Sequence, residues 1–375
     1  MKKLLVVISS MTFGGAEIQT LELANALVAL DYNIDIIVLD HKQEIIPLGH
    51  RSIRFHVMNK QKYLDVSVVK RIRRMVMQNR PDLILCVELY PTLYLQLAMA
   101  GLKEKHKIVT VMHSTLPRDR KEMFQHFYLT PFLKKVDQTV FVSHQQKDYW
   151  SKKHRINPEK SVTIHNGIHI DIFSEYLNEH EKIQLDKTRF GFSQQDVVLG
   201  TCASFRIEKR HKDLVEAIYR LKSKGYKVKL LLIGDGEMRT KLEEQIEQLA
   251  LQEDVRITGH VMDVRPYLAL IDIFVLSSVS VETLSLAAIE SQAMKKAAIL
   301  SSIGGAAEIV QDGINGYLYT AGNVEELTEK AEMMMKDKKW KAMGKAAYQH
   351  ATHCFSHEKM TMAYDHLFKE LMASR

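Results

Sequence analysis

Residues 276–310 read LSSVSVETLSLAAIESQAMKKAAILSSIGGAAEIV. The apolar run 273–276 predicts the end of a strand, and a short polar loop follows. Leu286, Ile289, Ala293 and Ala297 then recur at helical spacing, and 298–300 predicts another strand. Strand, helix, strand in this order is the repeating unit of a parallel sheet covered on both faces. Glu282 and Glu290, with seven residues between them, frame the loop-to-helix junction. A helix opening near Ser285 exposes unpaired amides and the positive end of its dipole, and so favours an anion. Glu290 stands about one and a half turns inside, within reach of hydroxyls on a ligand whose phosphate rests at the helix start. Glu282 projects from the loop before it. The arrangement suits a phosphate flanked by two hydroxyl-rich groups, as in a nucleotide-sugar.

The alternation extends in both directions. In the first half, strands are expected near 3–9, 34–39, 53–57, 82–87, 107–112, 138–142 and 161–164, and helices near 66–79, 91–101, 119–135 and 144–153. In the second half, strands are expected near 197–204, 228–233, 255–258, 273–278 and 298–300, and helices near 323–336, 338–352 and 357–371. Parallel sheets bind ligands beyond the C-terminal ends of their strands. Several reactive groups fall at such ends. Gly14 and Gly15 follow the first strand and open a helix bearing Ile18, Leu21, Leu23, Ala24, Leu27 and Leu30. Glu88 ends the strand at 83–87 and is read as an acceptor contact. His113 follows 108–112, where an imidazole caps backbone groups or bonds a sugar hydroxyl. Arg206 and Lys209 follow 197–204; an Arg fork with a Lys point charge neutralises a pyrophosphate. Gly234-Asp235-Gly236 and Gly259-His260 end the next two strands. No G-x-G-x-x-G fingerprint is present, so this is not the dinucleotide-binding variant of the pattern.

A length of 375 residues suggests two domains. No apolar run reaches the ~18 residues that a membrane span needs. The opening MKKLLVVISSMTFGG flows into Gly-Gly and a helix, and is read as a first strand rather than a signal peptide. Cys86, Cys202 and Cys354 lack metal-ligand spacing and suggest buried thiols in a reducing cytoplasm. The charge is uneven. Residues 1–185 carry 26 Lys and Arg against 19 Asp and Glu, and residues 186–375 carry 26 against 26, so the whole +7 lies in the first half. That half also holds Lys70, Arg71, Arg73 and Arg74 on one expected helix. The segment 119–135 mixes Met123, Phe124, Phe127, Tyr128, Phe132 and Leu133 with basic residues from Arg118 to Lys135, and Pro131 is expected to break its helix. Its aromatics fit either core packing or an interfacial helix.

Taken with its flanks, residues 276–310 resemble the donor-site signature of retaining GT-B glycosyltransferases, in particular family 4. There a Glu-x7-Glu pair is followed by Gly-Gly-x-x-Glu, here Gly304, Gly305 and Glu308. GGAEIQTLELANAL resembles the family's opening, Arg206-Ile207-Glu208-Lys209-Arg210-His211 its basic motif, and 312–318 its D-G-x-x-G turn. Asn166-Gly167-Ile168 resembles the hinge signature N-G-[IV]-D-x-x-x-F, with Asp171 two places late. Two further departures are a Glu282-Thr283-Leu284-Ser285 loop in place of Glu-Gly-Phe-Gly, and 295–299 in place of Cys-Gly-x-Pro-Val.

The resemblance implies an α/β GT-B fold of two Rossmann-like domains with the active site in a cleft. The first would be 1–170, with 357–375 crossing back onto it; the second, 186–356, would hold the donor, and 174–190 would connect them. It implies sugar transfer, with retained configuration, from a nucleoside-diphosphate sugar, with uridine as base. The acceptor would be a glycan or lipid-linked glycan in cell-surface polysaccharide or glycoconjugate synthesis. His113, Glu282, Arg206 and Lys209 take the catalytic roles. Gly14, Gly15, Arg206, Lys209, Gly234, Gly259, His260, Thr283, Leu284, Ser285, Leu286 and Glu290 take the donor. No Asp-x-Asp motif stands at a strand end, so no metal or other cofactor is expected. The basic half suggests an anionic partner on that side, whether acidic lipid, a phosphorylated acceptor or nucleic acid, although no nucleic-acid module is present. In the family this domain faces the acceptor, often a lipid-linked glycan at the cytoplasmic membrane surface, so the resemblance implies a cytoplasmic protein peripheral on the inner face of an anionic membrane. Two other readings share these residues: an enzyme like UDP-GlcNAc 2-epimerase, and a catalytically silent nucleotide-sugar-binding partner.

Overall fold

The computed structural model describes residues 1–117, 120–177 and 187–374. Arg118, Asp119 and positions 178–186 of the expected connection lie outside the described residues. The chain divides into two compact units: Met1–Gly167 together with Glu358–Arg375, and Ile168–His357.

Among the described residues the first unit holds a seven-stranded parallel sheet. Its strands are β1 (Lys2–Ile8), β2 (Tyr32–Val38), β3 (Arg54–Val57), β4 (Leu83–Val87), β5 (Lys107–Met112), β6 (Gln138–Phe141) and β7 (Ser161–Thr163). The order is β3-β2-β1-β4-β5-β6-β7, so the chain winds outward from β1, then returns to its other side. β4 reads Leu-Ile-Leu-Cys-Val and is buried throughout, the unbroken apolar run of a strand covered on both faces. Helix boundaries follow local chemistry. Asp65 caps Val66–Asn79 by accepting from Ser67 N at 3.0 Å, and Arg80 ends that helix in the left-handed region. Ser143 caps His144–His154 in the same way.

The second unit repeats the plan with β8 (Val197–Cys202), β9 (Val228–Ile233), β10 (Val255–Ile257), β11 (Ile273–Leu276), β12 (Ala297–Ser301) and β13 (Gly316–Tyr319). The order is β10-β9-β8-β11-β12-β13, again all parallel. The doubly wound α/β architecture expected from the sequence is therefore present in both units.

Several boundaries differ. The helix expected at 91–101 begins at Leu89, because β4 turns sharply at Glu88, and it ends at Met99. β11 stops at Leu276, and beyond it the Ser277 and Ser278 hydroxyls bond to the neighbouring loops. Pro131 does not break its helix, which runs Arg120–Leu133. A proline this near the C-terminus disturbs little beyond the final turn. Three aromatics of this helix are not core: Phe124, Phe127 and Tyr128 are 60%, 74% and 64% exposed, whereas Leu129 and Leu133 are buried and Phe132 packs partly buried against the core. Of the cysteines only Cys86 is fully buried; Cys202 and Cys354 are partly exposed.

The helix His357–Ala373 packs on the first unit. Its Asp365, 2% exposed, accepts from Tyr32 Oη at 2.9 Å and pairs with Lys369 at 2.6 Å and Lys2 at 3.4 Å. Phe368 packs edge-on against Tyr32. Replacing Asp365 by Ala leaves these donors without their acceptor, and stability in urea unfolding is expected to fall by about 2–4 kcal/mol.

Candidate active site

In a parallel sheet the loops beside the reversal of strand order leave toward opposite faces and open a crevice. In the second unit this point lies between β8 and β11. The loop after β8 carries Arg206 and Lys209, and the loop after β11 carries Glu282. Lys209 Nζ lies 2.6 Å from Glu282 Oε2, and both side chains are largely buried. Ser278 Oγ donates to the same carboxylate oxygen at 3.0 Å. Two further bonds lock the loops together: Val279 N donates to Glu208 O at 2.9 Å, and Ser277 Oγ to Lys209 O at 2.8 Å. Arg206 is exposed at the rim of a cavity of about 360 Å³, with Arg210, Lys212 and Lys241.

The loop of Glu282 is held from beneath. Gly304 has φ +51°, and a Cβ there would lie 1.8 Å from Glu282 O, so only glycine fits. Gly305 N donates to Thr283 O at 2.8 Å. Val281, a β-branched residue, takes φ +52° to turn the chain into Glu282, a strained conformation. Leu284 and Ser285 are buried, and Ser285 caps the helix Leu286–Ala293 by accepting from Ala288 N at 3.3 Å. Glu290 stands in this helix, one turn from its start. Burial pushes its carboxyl up to about 7. Cys202, at the end of β8, is pushed up to about 12 by burial and by the charge of Glu290. Gly234 completes the edge: its backbone bridges Gly259, and a Cβ on it would lie 2.2 Å from Ala203 O. His260 is exposed beside Gly259.

In the first unit the reversal lies between β1 and β4. Gly14 and Gly15 begin the helix after β1, and Glu17 folds back toward Gly14, accepting from Ser10 Oγ at 3.0 Å. His113 follows β5. Burial pushes its imidazole down to about 4, so it is neutral near pH 7. Asn166 Nδ2 lies 3.5 Å from His113 Nδ1. Glu88 accepts from the backbone N–H groups of His113 and Ser114, each at 2.8 Å, so its carboxylate serves the loop of His113.

Two family models match the chain: Glycosyltransferase Family 4 over residues 13–172, and Glycosyl transferases group 1 over residues 182–350. The chain belongs to the GT-B glycosyltransferases. It is 26% identical over 283 residues to N-acetyl-alpha-D-glucosaminyl L-malate synthase of Bacillus anthracis, covering 74% of this chain and 71% of that one. It is 28% identical over 207 residues to the lipopolysaccharide core biosynthesis glycosyltransferase LpsE of Rhizobium meliloti, covering 55% and 58%. Its fold superposes on a glycosyltransferase from Rickettsia africae with a TM-score of 0.86, 23% identity and coverage of 99% and 98%. Superposition on Anabaena Alr3699/HepE in complex with UDP gives 0.87 at 19% identity, covering 99% and 100%. At these identities the structural likeness is one of fold.

Within this glycosyltransferase the expected donor-site residues Arg206, Lys209, Gly234, Gly259, His260, Glu282, Thr283, Leu284, Ser285, Leu286 and Glu290 all lie at one edge of the second sheet. Gly14, Gly15 and His113 lie at the corresponding edge of the first sheet, in the other unit. Sequence reading missed Ser277, which ties the loop after β11 to the loop after β8, and Ser278 and Val281, which shape the loop of Glu282 from within. It also missed Gln19, which bonds both backbone groups of Gly167, at 3.0 and 3.2 Å.

Glu290 gives a test of the site's electrostatics. Its folded carboxyl titrates near 7, above the ordinary value of 4.5. At low pH both folded and unfolded chains hold the proton. As pH rises the unfolded chain releases it first, so stability is lost as pH climbs through about 7. Glu290→Gln is expected to match the native protein in urea unfolding at about pH 4.5 and to exceed it by ~1–3 kcal/mol at about pH 8.

Proposed function

We propose that this protein is a retaining, metal-independent glycosyltransferase that takes a UDP-sugar as donor and a glycan or lipid-linked glycan as acceptor. The observation that carries the reading is the Lys209–Glu282 pair at the strand-order reversal, on the loop that also carries Arg206 and the loop that leads into the helix of Glu290. A diphosphate entering this edge draws Lys209 away from Glu282 and gains Arg206, which releases the Glu282 carboxylate toward the sugar. Arg206, Lys209 and the amides at the start of the Leu286–Ala293 helix then stabilise charge on the departing diphosphate, the work a divalent ion does in other transferases. Glu290, raised by burial, holds ribose hydroxyls. His113, neutral near pH 7, offers its imidazole to a donor-sugar hydroxyl. Family membership supports the transfer reaction. The Anabaena neighbour bound to UDP and the Rhizobium relative of lipopolysaccharide core synthesis support the donor and the kind of product.

The test is a product assay in EDTA with a panel of nucleoside-diphosphate sugars and glycan acceptors, with NMR of the new linkage. Transfer with retained configuration is expected, and Arg206→Ala and Lys209→Ala should each lower kcat by ~10²-fold or more with the fold intact. Wild-type rates in both variants would remove the assignment. Activity restored only by Mg²⁺ or Mn²⁺ would remove metal independence, and sugar conversion without acceptor would favour an epimerase.

The acceptor side is proposed to rest on an anionic membrane surface in the cytoplasm. Support comes from the first half's +7 excess and from exposed Met123, Phe124, Phe127 and Tyr128, followed by exposed Lys134 and Lys135. Each cation near such a surface contributes about 1 kcal/mol, screened within a Debye length. In liposome co-sedimentation, binding is expected to require anionic lipid, to weaken with salt and to drop in a Lys134→Glu, Lys135→Glu double variant. No binding to anionic liposomes at low salt would point to a soluble acceptor.

A further inference from the structure

Glu88, read from the sequence as an acceptor contact, has one of the most constrained conformations in the first unit. It ends β4 with φ +73° and ψ 172°, a region open essentially to glycine alone. The backbone is held there from both sides. Glu88 N donates to Val111 O at 2.8 Å, and Glu88 O accepts from Thr92 Oγ1 at 2.8 Å. Thr92 Oγ1 in turn lies 3.0 Å from Thr110 Oγ1, beneath the end of β5. A glycine would take this conformation without strain, but would carry no carboxylate.

The carboxylate faces the loop after β5, bonding its backbone amides and the Ser114 hydroxyl. A single oxygen, Oε1, accepts from His113 N and Ser114 N, each at 2.8 Å. These are the first two amides beyond β5, where the sheet no longer supplies acceptors. The far side of the same turn is held by Gln146, whose Nε2 donates to Ser114 O at 3.0 Å. The turn is gripped at its donors by Glu88 and at its acceptor by Gln146. Such a grip fixes the Cα of His113, and so the direction of its imidazole.

We propose that Glu88 is a positioning residue, which aims the His113 imidazole by clamping the backbone amides of residues 113 and 114. The strain at Glu88 persists because this backbone turn carries the carboxylate to both amides at once. The proposal rests on the reading of His113 as a group that meets the donor sugar. A wrongly aimed imidazole slows the reaction while leaving the donor's nucleotide contacts in the other unit unchanged.

The test uses the full chain with Glu88→Gln, Glu88→Ala and Glu88→Gly, and His113→Ala in parallel, with rates expressed per folded molecule. Gln retains an oxygen that accepts from both amides, so kcat is expected to stay within ~3-fold of native, whereas Ala and Gly should lower it by ~10-fold or more. The KM for donor should change by less than ~2-fold, the signature of a lost transition-state interaction. Hydrogen exchange of the 113 and 114 amides, which needs no turnover, should speed up by ~10-fold or more in Ala and Gly and remain near native in Gln. Native turnover in His113→Ala would end the reading of His113, and the exchange data would still report the clamp. Slow His113→Ala with native turnover in Glu88→Ala and Glu88→Gly would overturn the proposal. So would unchanged amide exchange in those two variants, or a loss in Gln as deep as in Ala.

Discussion

The constraint on which the structure depends is the reversal of strand order in a parallel sheet. Where the chain turns from winding one way to winding the other, neighbouring strands send their loops to opposite faces, and no helix covers the gap. The reversals at β1/β4 and β8/β11 bring together groups far apart in sequence. Lys209 and Glu282 meet at 2.6 Å because β8 and β11 are neighbours, not because their spacing requires it. Glu88 reaches His113 because β4 and β5 are neighbours.

These edges carry features that are unfavourable on their own. Glu88 and Val281 hold positive φ without being glycine. Glu88 and Glu290 are carboxyls pushed up to about 7, in both cases chiefly by burial. The close backbone approaches at Gly234 and Gly304 leave no room for a side chain. Strain and desolvation of this kind persist where the surrounding structure over-determines them. The apolar strands beneath supply that rigidity: β4 and β12 are buried along their whole length. The stability forgone at the loops is offset by the two hydrophobic cores.

Much of this was legible in the sequence. Apolar runs alternating with helical spacing determined two doubly wound α/β units, because only a parallel sheet covered on both faces buries such strands. The same alternation placed His113, Arg206, Lys209, Glu282 and Glu290 at strand ends or helix starts, where backbone polarity favours ligands. Helix caps such as Asp65, Ser143 and Ser285 follow from local hydrogen bonding, and local bonding is readable from neighbours in sequence.

Tertiary structure alone decided which of those groups touch and what surrounds them. Nothing in the order of residues marks Lys209 as a partner of Glu282, or Glu88 as the clamp on the turn of His113. Both contacts depend on strand order, which side-chain periodicity does not encode. The helix Arg120–Leu133 makes the same point: its aromatics fit a core or a surface equally by pattern, and only packing against its neighbours left Phe124, Phe127 and Tyr128 outside. The carboxyls of Glu88 and Glu290 are likewise ordinary in sequence. Burial raises them, and burial is a property of the fold.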